Sequence, residues 1–421
     1  MSASPVTPDP QIETPHDGPL QEVWTQVKGL RRGDSGMVPI VIGIVVLVAY
    51  FQIRNSLFLS AGNLVNLFVQ ATTYILLGMA EIWLLLLGDI DLSVGYVSVL
   101  GGATAVILTD TQFHWPWYLA ILAAVLVTTT IGALHGALTI LLRVPSFIVT
   151  LAGLLAWEGV LIAVVDAQGT GGTIPTQEKL LYDLVNTNAT PLWTWLFFAA
   201  CVLGAMITIL SRDRRRRASG LQVQPFVITV IKLAAMAAAA LALILIFNTN
   251  RGVFFGGHRT NLEGMPWAIP VDVIMLAGGT FFLSRTKAGR YLYAIGGNVE
   301  AARRAGVSVN RYRLMAFMLT GFTSGVAGLL YVSRQGGVSD NLDSTLVLYA
   351  VAAAVIGGTS LFGGRGKIIH ALIGGLIVAI IYNGMGLLSI NAADEYVAIA
   401  VVLLAAVAVD SLARRGSEVT R

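Results

Sequence analysis

Charge is scarce in this chain. Only 12% of its 421 residues are Asp, Glu, Lys or Arg, about half the share carried by soluble domains, roughly 25%. That excludes an ordinary water-soluble globule. One cysteine, Cys201, stands inside an apolar run, which excludes an internal disulfide and a cysteine-based metal site; it reads as a small buried hydrophobe. Basic residues are not massed on a soluble domain, so the formal net charge of +4 is no argument for a nucleic-acid partner. In such a chain the placement of the cations matters more than their sum. The first nineteen residues hold five prolines and almost no large apolar residue. They read as a disordered tail and not as a signal peptide, because no apolar stretch follows a basic start.

What is abundant is the hydrophobic class, 56% of the chain, gathered in runs near the length needed to cross roughly 30 Å of hydrocarbon at about 1.5 Å per residue. The runs fall at 38–54, 62–87, 91–109, 117–142, 146–165, 192–210, 225–247, 267–283, 313–332, 346–360, 368–388 and 395–412. In lipid every backbone amide must be satisfied internally, so runs this long are helices. The expected fold is an all-α polytopic membrane protein of about twelve spans. Ten spans with a re-entrant pair satisfy the same parity, and 346–360 is the weakest run. Three parts follow: a tail at 1–36, a membrane domain at 37–413 and a tail at 414–421. Within the first tail Leu20, Val23, Trp24, Val27 and Leu30 recur at helical spacing beside Lys28, Arg31 and Arg32, as in an amphipathic helix lying on a membrane surface.

With both termini inside, twelve spans place most cations in cytoplasmic loops, including Arg143, Arg214–Arg217 and those of 284–313. Only Arg54, Lys179, Arg251, Arg259 and Arg334 fall outside. The ratio is about four to one and follows the positive-inside rule. The run Arg214–Arg217 reads as a topology anchor near anionic lipid.

Three polar stretches interrupt the apolar pattern. At 88–95 the order is Gly-Asp-Ile-Asp-Leu-Ser-Val-Gly. Two carboxylates so near hydrocarbon are costly, so Asp89, Asp91, Ser93 and Gly95 mark either a hinge or pathway lining or a capped turn, with Asp91 and Ser93 as natural N-caps. At 357–367 the order Gly-Gly-Thr-Ser-Leu-Phe-Gly-Gly-Arg-Gly-Lys resembles a phosphate loop only at a glance. A Walker A would need glycine at Leu361, and Ile368 stands where Ser or Thr should follow the lysine. Gly357, Gly358, Gly363 and Gly364 instead suggest a bend or an unwound segment between spans. The third stretch, 284–313, is charged and glycine-marked. Residues 297–307 read as one short helix, capped by Asn298 and ended by Gly306, in which Ala301, Ala302 and Ala305 permit close approach by a partner. Spans nearly free of ionisable residues, with Glu81, Glu158 and Lys232 the exceptions, argue against an ion-driven transporter.

The string AIGGNVEAARRAGVSVNRYR at 294–313 resembles the cytoplasmic coupling segment of bacterial ABC-transporter permeases for monosaccharides, the ribose, xylose and arabinose group. GDIDLSVG at Gly88, GGTSLFGGRGK at Gly357 and YNGMGLL at Tyr382 are similar to further signatures of that family, in the same order along most of the chain. The length is similar to that of the xylose-type permeases, with 192–210 and 225–247 as the extra spans. The resemblance implies a many-helix importer permease in the plasma membrane that forms a homodimer. It implies an ATP-binding subunit docked on the coupling segment, where Gly296, Gly297, Asn298, Glu300, Ala301, Ala302, Arg303 and Gly306 would make the contact. It implies an extracytoplasmic sugar-binding protein as donor, and ATP hydrolysed in the partner and not in this chain. No cofactor, catalytic residue or metal is expected. Neutral sugars need hydroxyl partners and stacking faces, which makes Asn66, Gln70, Thr73 and Asn383 the substrate candidates by polarity.

Overall fold

The architecture is that of a computed structural model, which describes residues 37–110, 113–221, 223, 226–252, 254–255, 258–342, 345–391, 393–394, 396–401 and 404. The tails at 1–36 and 414–421, the expected amphipathic helix at 20–32 and most of the run at 395–412 lie outside the described residues.

Eleven of the twelve apolar runs form separate helices: α1 (Met37–Arg54), α2 (Ala61–Leu85), α3 (Val94–Thr109), α4 (Trp117–Leu142), α5 (Ser146–Asp166), α7 (Pro191–Ala218), α8 (Phe226–Asn248), α9 (Ala268–Arg285), α12 (Val309–Gln335), α13 (Thr345–Ile356) and α14 (Ile369–Leu387). Short helices α6 (Lys179–Asn186), α10 (Lys287–Gly297) and α11 (Val299–Arg304) stand between them. Among the described residues eight helices are long and apolar enough to cross a bilayer, and α1, α3 and α13 add shorter apolar stretches. At 1.5 Å per residue the 12 residues of α13 span only about 18 Å. The two short helices α3 and α13 are the ones that border the glycine breaks, and both are mostly buried in the bundle. Irregular backbone survives at membrane depth only where protein covers it.

The centre is built on α2 and α12, which pack on each other; α12 also packs against α3 and α4, and α2 against α13 and α14. Small residues make this possible. A Cβ at Gly328 of α12 would overlap the Ser98 carbonyl oxygen of α3, so only glycine allows that crossing. Threonine and serine hydroxyls inside these helices bond to their own backbone or across to a neighbour, as Thr320 Oγ1 does to the Ala80 carbonyl at 2.9 Å. The α7–α8 hairpin lies at the rim. It touches the centre through a small cluster in which Phe198 and Phe247 meet Val65 and Met265.

Among the described residues strand structure is confined to two ribbons. β1 (Thr173–Pro175) pairs antiparallel with β4 (Gly337–Ser339), placing Ile174 opposite Val338; β2 (Phe254–Phe255) pairs with β3 (His258–Arg259). The first ribbon and α6 close over one end of α12. Val185 N–H donates to Ser333 Oγ at 3.1 Å, Asn186 Nδ2 donates to the Ser333 carbonyl at 2.7 Å, and Ser333 Oγ donates to the Tyr182 carbonyl at 3.0 Å.

Candidate functional site

The three polar stretches come together at one end of the bundle. Gly364 N–H donates to the Leu86 carbonyl at 2.9 Å. A Cβ at Gly296, in the last turn of α10, would overlap that same carbonyl oxygen. Gly88 and Gly363, both with φ above +80°, are the turns that let the two breaks approach. Tyr293 Oη donates to the Gly366 carbonyl at 2.6 Å; burial pushes its phenol pKa up. Ile90 N–H donates to Ser146 Oγ at 3.2 Å, which brings in the start of α5. This end also carries Arg143, Arg303, Arg313, Arg365 and Lys367. The separate breaks are therefore one junction, in contact with the segment read as coupling.

Asp89 is nearly buried there and accepts from Arg313 Nε at 2.7 Å, with Arg313 Nη2 on its other oxygen. Such two-point pairing is the strong form of an ion pair. It ties the α2–α3 break to the first turns of α12. Asp91 and Ser93 do not cap α3 as two alternative N-caps. Ser93 occupies the N-cap position without a side-chain capping bond, because its hydroxyl donates to Asp91 Oδ1 at 2.5 Å. Asp91 also accepts the Ser93 N–H at 2.8 Å, closing an Asx turn just ahead of α3. His135 lies 3.7 Å from Asp91, and Trp157 Nε1 donates to His135 Nε2 at 2.9 Å, which puts the imidazole proton on Nδ1, facing Asp91 and Ser93. Glu81, fully buried, has one oxygen 3.5 Å from the Asp91 N–H and one without a partner. His135 and Trp157 were not legible as members of this network, since each stands alone in an apolar run. Gly95 packs against Val347 and Gly357 against the His370 carbonyl. Gly358 has φ +108°.

The short helix expected at 297–307 forms as α11, and α10 precedes it in the same segment. Gly296 and Gly297 end α10. Asn298 then caps α11, its Oδ1 accepting from Ala301 N–H at 2.9 Å, and Gly306 follows with φ +79°. Glu300 pairs with Arg303 and Arg304 on the same helix. Ala302 departs from the expected role. It is 5% exposed, turned toward the chain's own interior, so it is not free to meet a partner. The open face of α11 is Val299, Glu300, Ala301, Arg303 and Arg304.

The four substrate candidates meet away from the junction. Gln70 lies sixteen residues before Leu86, about 24 Å along a helix. Two adjoining hollows share Gln70 and Tyr382. One, of about 110 Å³, is lined by Thr73, Tyr74, Tyr331, Arg334 and Tyr349 among others. The other, of about 270 Å³, is lined by Asn63, Asn66, Asn383 and neighbours. Tyr74 sits edge-on to Tyr349 and Tyr382, with ring centroids 5.5 and 6.0 Å apart. Asn383 Oδ1 accepts from Asn63 Nδ2 at 2.8 Å. Gln70 is buried, and among the described residues its Oε1 has no hydrogen-bond partner. Tyrosine faces and amide groups of this kind suit a neutral polyhydroxylated ligand. Arg334, placed outside by its charge, stands in the last turn of α12, which runs on to Gln335, and lines the hollow. Among the described residues no cluster of three or more His, Cys, Asp or Glu side chains is arranged to hold a metal.

Comparison with known proteins places the chain in a family. The family described as branched-chain amino acid transport system / permease component matches residues 63–269 and 221–407. The xylose transport system permease protein of Escherichia coli (strain K12) is 34% identical over 392 residues, 92% of this chain and 95% of that protein. The D-allose transport system permease protein of the same organism is 29% identical, over 88% of this chain and 90% of that protein. The ribose import permease protein of Haemophilus influenzae is 27% identical, over 88% and 91%. No solved structure matches the chain.

Proposed function

This chain belongs to the branched-chain amino acid transport system / permease component family, and from that premise we propose that it is the membrane subunit of an ATP-driven importer whose cargo is xylose. The relatives named for xylose, allose and ribose support a monosaccharide as cargo. The observation that carries the reading is the pair of hollows around Gln70. A neutral sugar offers hydroxyl donors for the unpartnered Gln70 Oε1, while the tyrosine faces cover its apolar C–H surface. Asn66, Thr73, Asn383 and Tyr382 complete the set of contacts.

By the positive-inside rule the junction is the cytoplasmic end and both termini are cytoplasmic. An ATP-binding subunit docks there, on α11 and its surroundings, and hydrolyses ATP in its own site. An extracytoplasmic sugar-binding protein delivers cargo over the β1–β4 ribbon and α6. A second copy of the chain completes the pathway, in the plasma membrane, with lipid around the rim. The mechanism follows from the junction: a displacement of α11 reaches α12 and, through Arg313–Asp89, the α2–α3 break. Both α2 and α12 line the hollows at their far ends, so a shift at one end re-shapes the other.

Uptake of labelled xylose by cells lacking this chain tests the reading. Loss of uptake, restored by the chain and competed by xylose more than by ribose or allose, supports it. Equal competition by several sugars indicates a multiple-monosaccharide permease. The buried Glu81–Asp91–His135 network favours one rival, a transporter driven by protons; uptake abolished by a protonophore while cellular ATP is held constant would establish that rival instead.

A further inference from the structure

A groove of about 530 Å³ opens at the junction end beside α11. Arg143, Arg303, Arg313 and Asn310 line it, over a floor that includes Thr139 and Pro145. Arg143 ends α4 in a left-handed conformation, φ +56°, a geometry uncommon for a residue with a side chain. Among the described residues it forms no ion pair. Among the described residues Arg303 pairs only with Glu300 of its own short helix, and both side chains are more than half exposed. Arg313 holds Asp89 at one edge of its guanidinium, yet 30% of its side chain stays accessible at the groove. Three guanidinium groups thus face one opening. Of the carboxylates they hold, Asp89 is covered by Arg313 and Glu300 belongs to the exposed face of α11.

Guanidinium groups set around an open groove match a planar, doubly accepting anion. We propose that this groove receives an acidic side chain, Asp or Glu, of the ATP-binding subunit, and that the incoming carboxylate shares Arg313 with Asp89. The inference rests on the reading that such a subunit docks at this end, and it goes further by naming the contact and its chemistry. Position argues for a protein side chain. Arg303 of α11 lines the groove, the rest of α11 presents an open face, and a docking subunit must cover that helix. The consequence is mechanical. A carboxylate on Arg313 weakens its hold on Asp89, the residue that ties α12 to the α2–α3 break. Docking and loosening of the junction become one event, with charge relocated and no covalent step.

The test uses the full-length chain co-purified with its co-expressed ATP-binding subunit in nanodiscs. Arg143→Glu with Arg303→Glu should weaken the complex by about thirtyfold or more, as for close interfacial charge pairs, and abolish the salt sensitivity of what binding remains. Arg143→Lys with Arg303→Lys should weaken it far less. One Asp or Glu→Arg change, found by scanning the ATP-binding subunit, should restore binding to the reversed pair. Arg143→Gln with Arg303→Gln, melting like the wild type, guards against misfolding. If the reversed pair binds with unchanged affinity and salt dependence, the groove is not the contact, although docking itself stands. If binding is restored by adding anionic lipid and by no charge change on the subunit, the occupant is a lipid headgroup and the inference fails. If the wild-type chain forms no complex with the subunit, the reading beneath it fails.

Discussion

Helices α2 and α8 invert the rule of soluble proteins. The more apolar of the two, α8, is the more exposed, and α2, with a lower mean hydropathy, is the more buried. Gln70, Thr72, Thr73 and Glu81 of α2 are all buried. Buried residues of α8 are only Ile228, Thr229, Ile244 and Phe247. Lipid is as apolar as leucine, so apolar surface gains nothing by leaving it. Helices associate through small residues and hydrogen bonds instead. Polar and glycine content marks the working centre of this chain, and uniform apolarity marks its rim.

The contrast breaks first at glycine. Gly328→Leu drives a side chain into Ser98 on α3, whereas nothing lies within 4 Å of a Cβ at Gly204 on α7. The first variant should fail to accumulate in the membrane fraction, and Gly204→Leu should accumulate like the wild type, both read by immunoblot. A second contrast sets the hollow against the rim. Gln70→Leu should lower sugar uptake about tenfold at unchanged protein level, equivalent to roughly 1.4 kcal/mol, the loss of one ligand hydrogen bond in a desolvated site. Trp195→Ala, 45% exposed on α7, should leave uptake unchanged. Smaller again is Trp157→Phe. It removes the donor to His135 Nε2 and should lower stability by roughly 0.6 kcal/mol, typical of hydrogen bonds between membrane helices, visible as a small fall in melting midpoint. Smallest is replacement of Arg214–Arg217 by Gln. Each cation near an anionic surface contributes about 1 kcal/mol to its attraction, but the remaining basic loops hold the topology. Transport should stay within about twofold of wild type, while stabilisation by anionic lipid is lost.

The same physics explains what could be read from sequence. Span positions were legible because length and hydropathy alone decide them: eleven runs are helices, ten of them within about four residues of their expected bounds, while α7 runs on eight residues through the arginine run to Ala218. The breaks at Gly88 and Gly357 were legible as breaks, because glycine and Asp interrupt apolar runs. Their contact with each other was not, since residues 86 and 364 meet only in the folded bundle. His135 gave no signal because its partners sit at 91, 93 and 157. Ala302 was placed on the wrong side of α11 because a six-residue helix is too short for periodicity to assign a face. That Arg334 lines the hollow was not legible, because the apolar run ends at 332 while the helix continues to Gln335. Asn66, Gln70, Thr73 and Asn383 were chosen by polarity and line the two hollows; polarity is also the property that separates α2 from α8.

The central claim is that the hollow around Gln70 is worked from the junction by a partner's ATP. Proteoliposomes containing this chain and the ATP-binding subunit, supplied with the sugar-binding protein and ATP, test it by accumulation of labelled xylose. The account predicts accumulation that requires all three proteins and ATP, is reduced about tenfold by Gln70→Leu, and is accompanied by no hydrolysis from this chain alone. Accumulation driven by a proton gradient without the ATP-binding subunit, or transport by the full complex of a branched-chain amino acid and not of any monosaccharide, would contradict it.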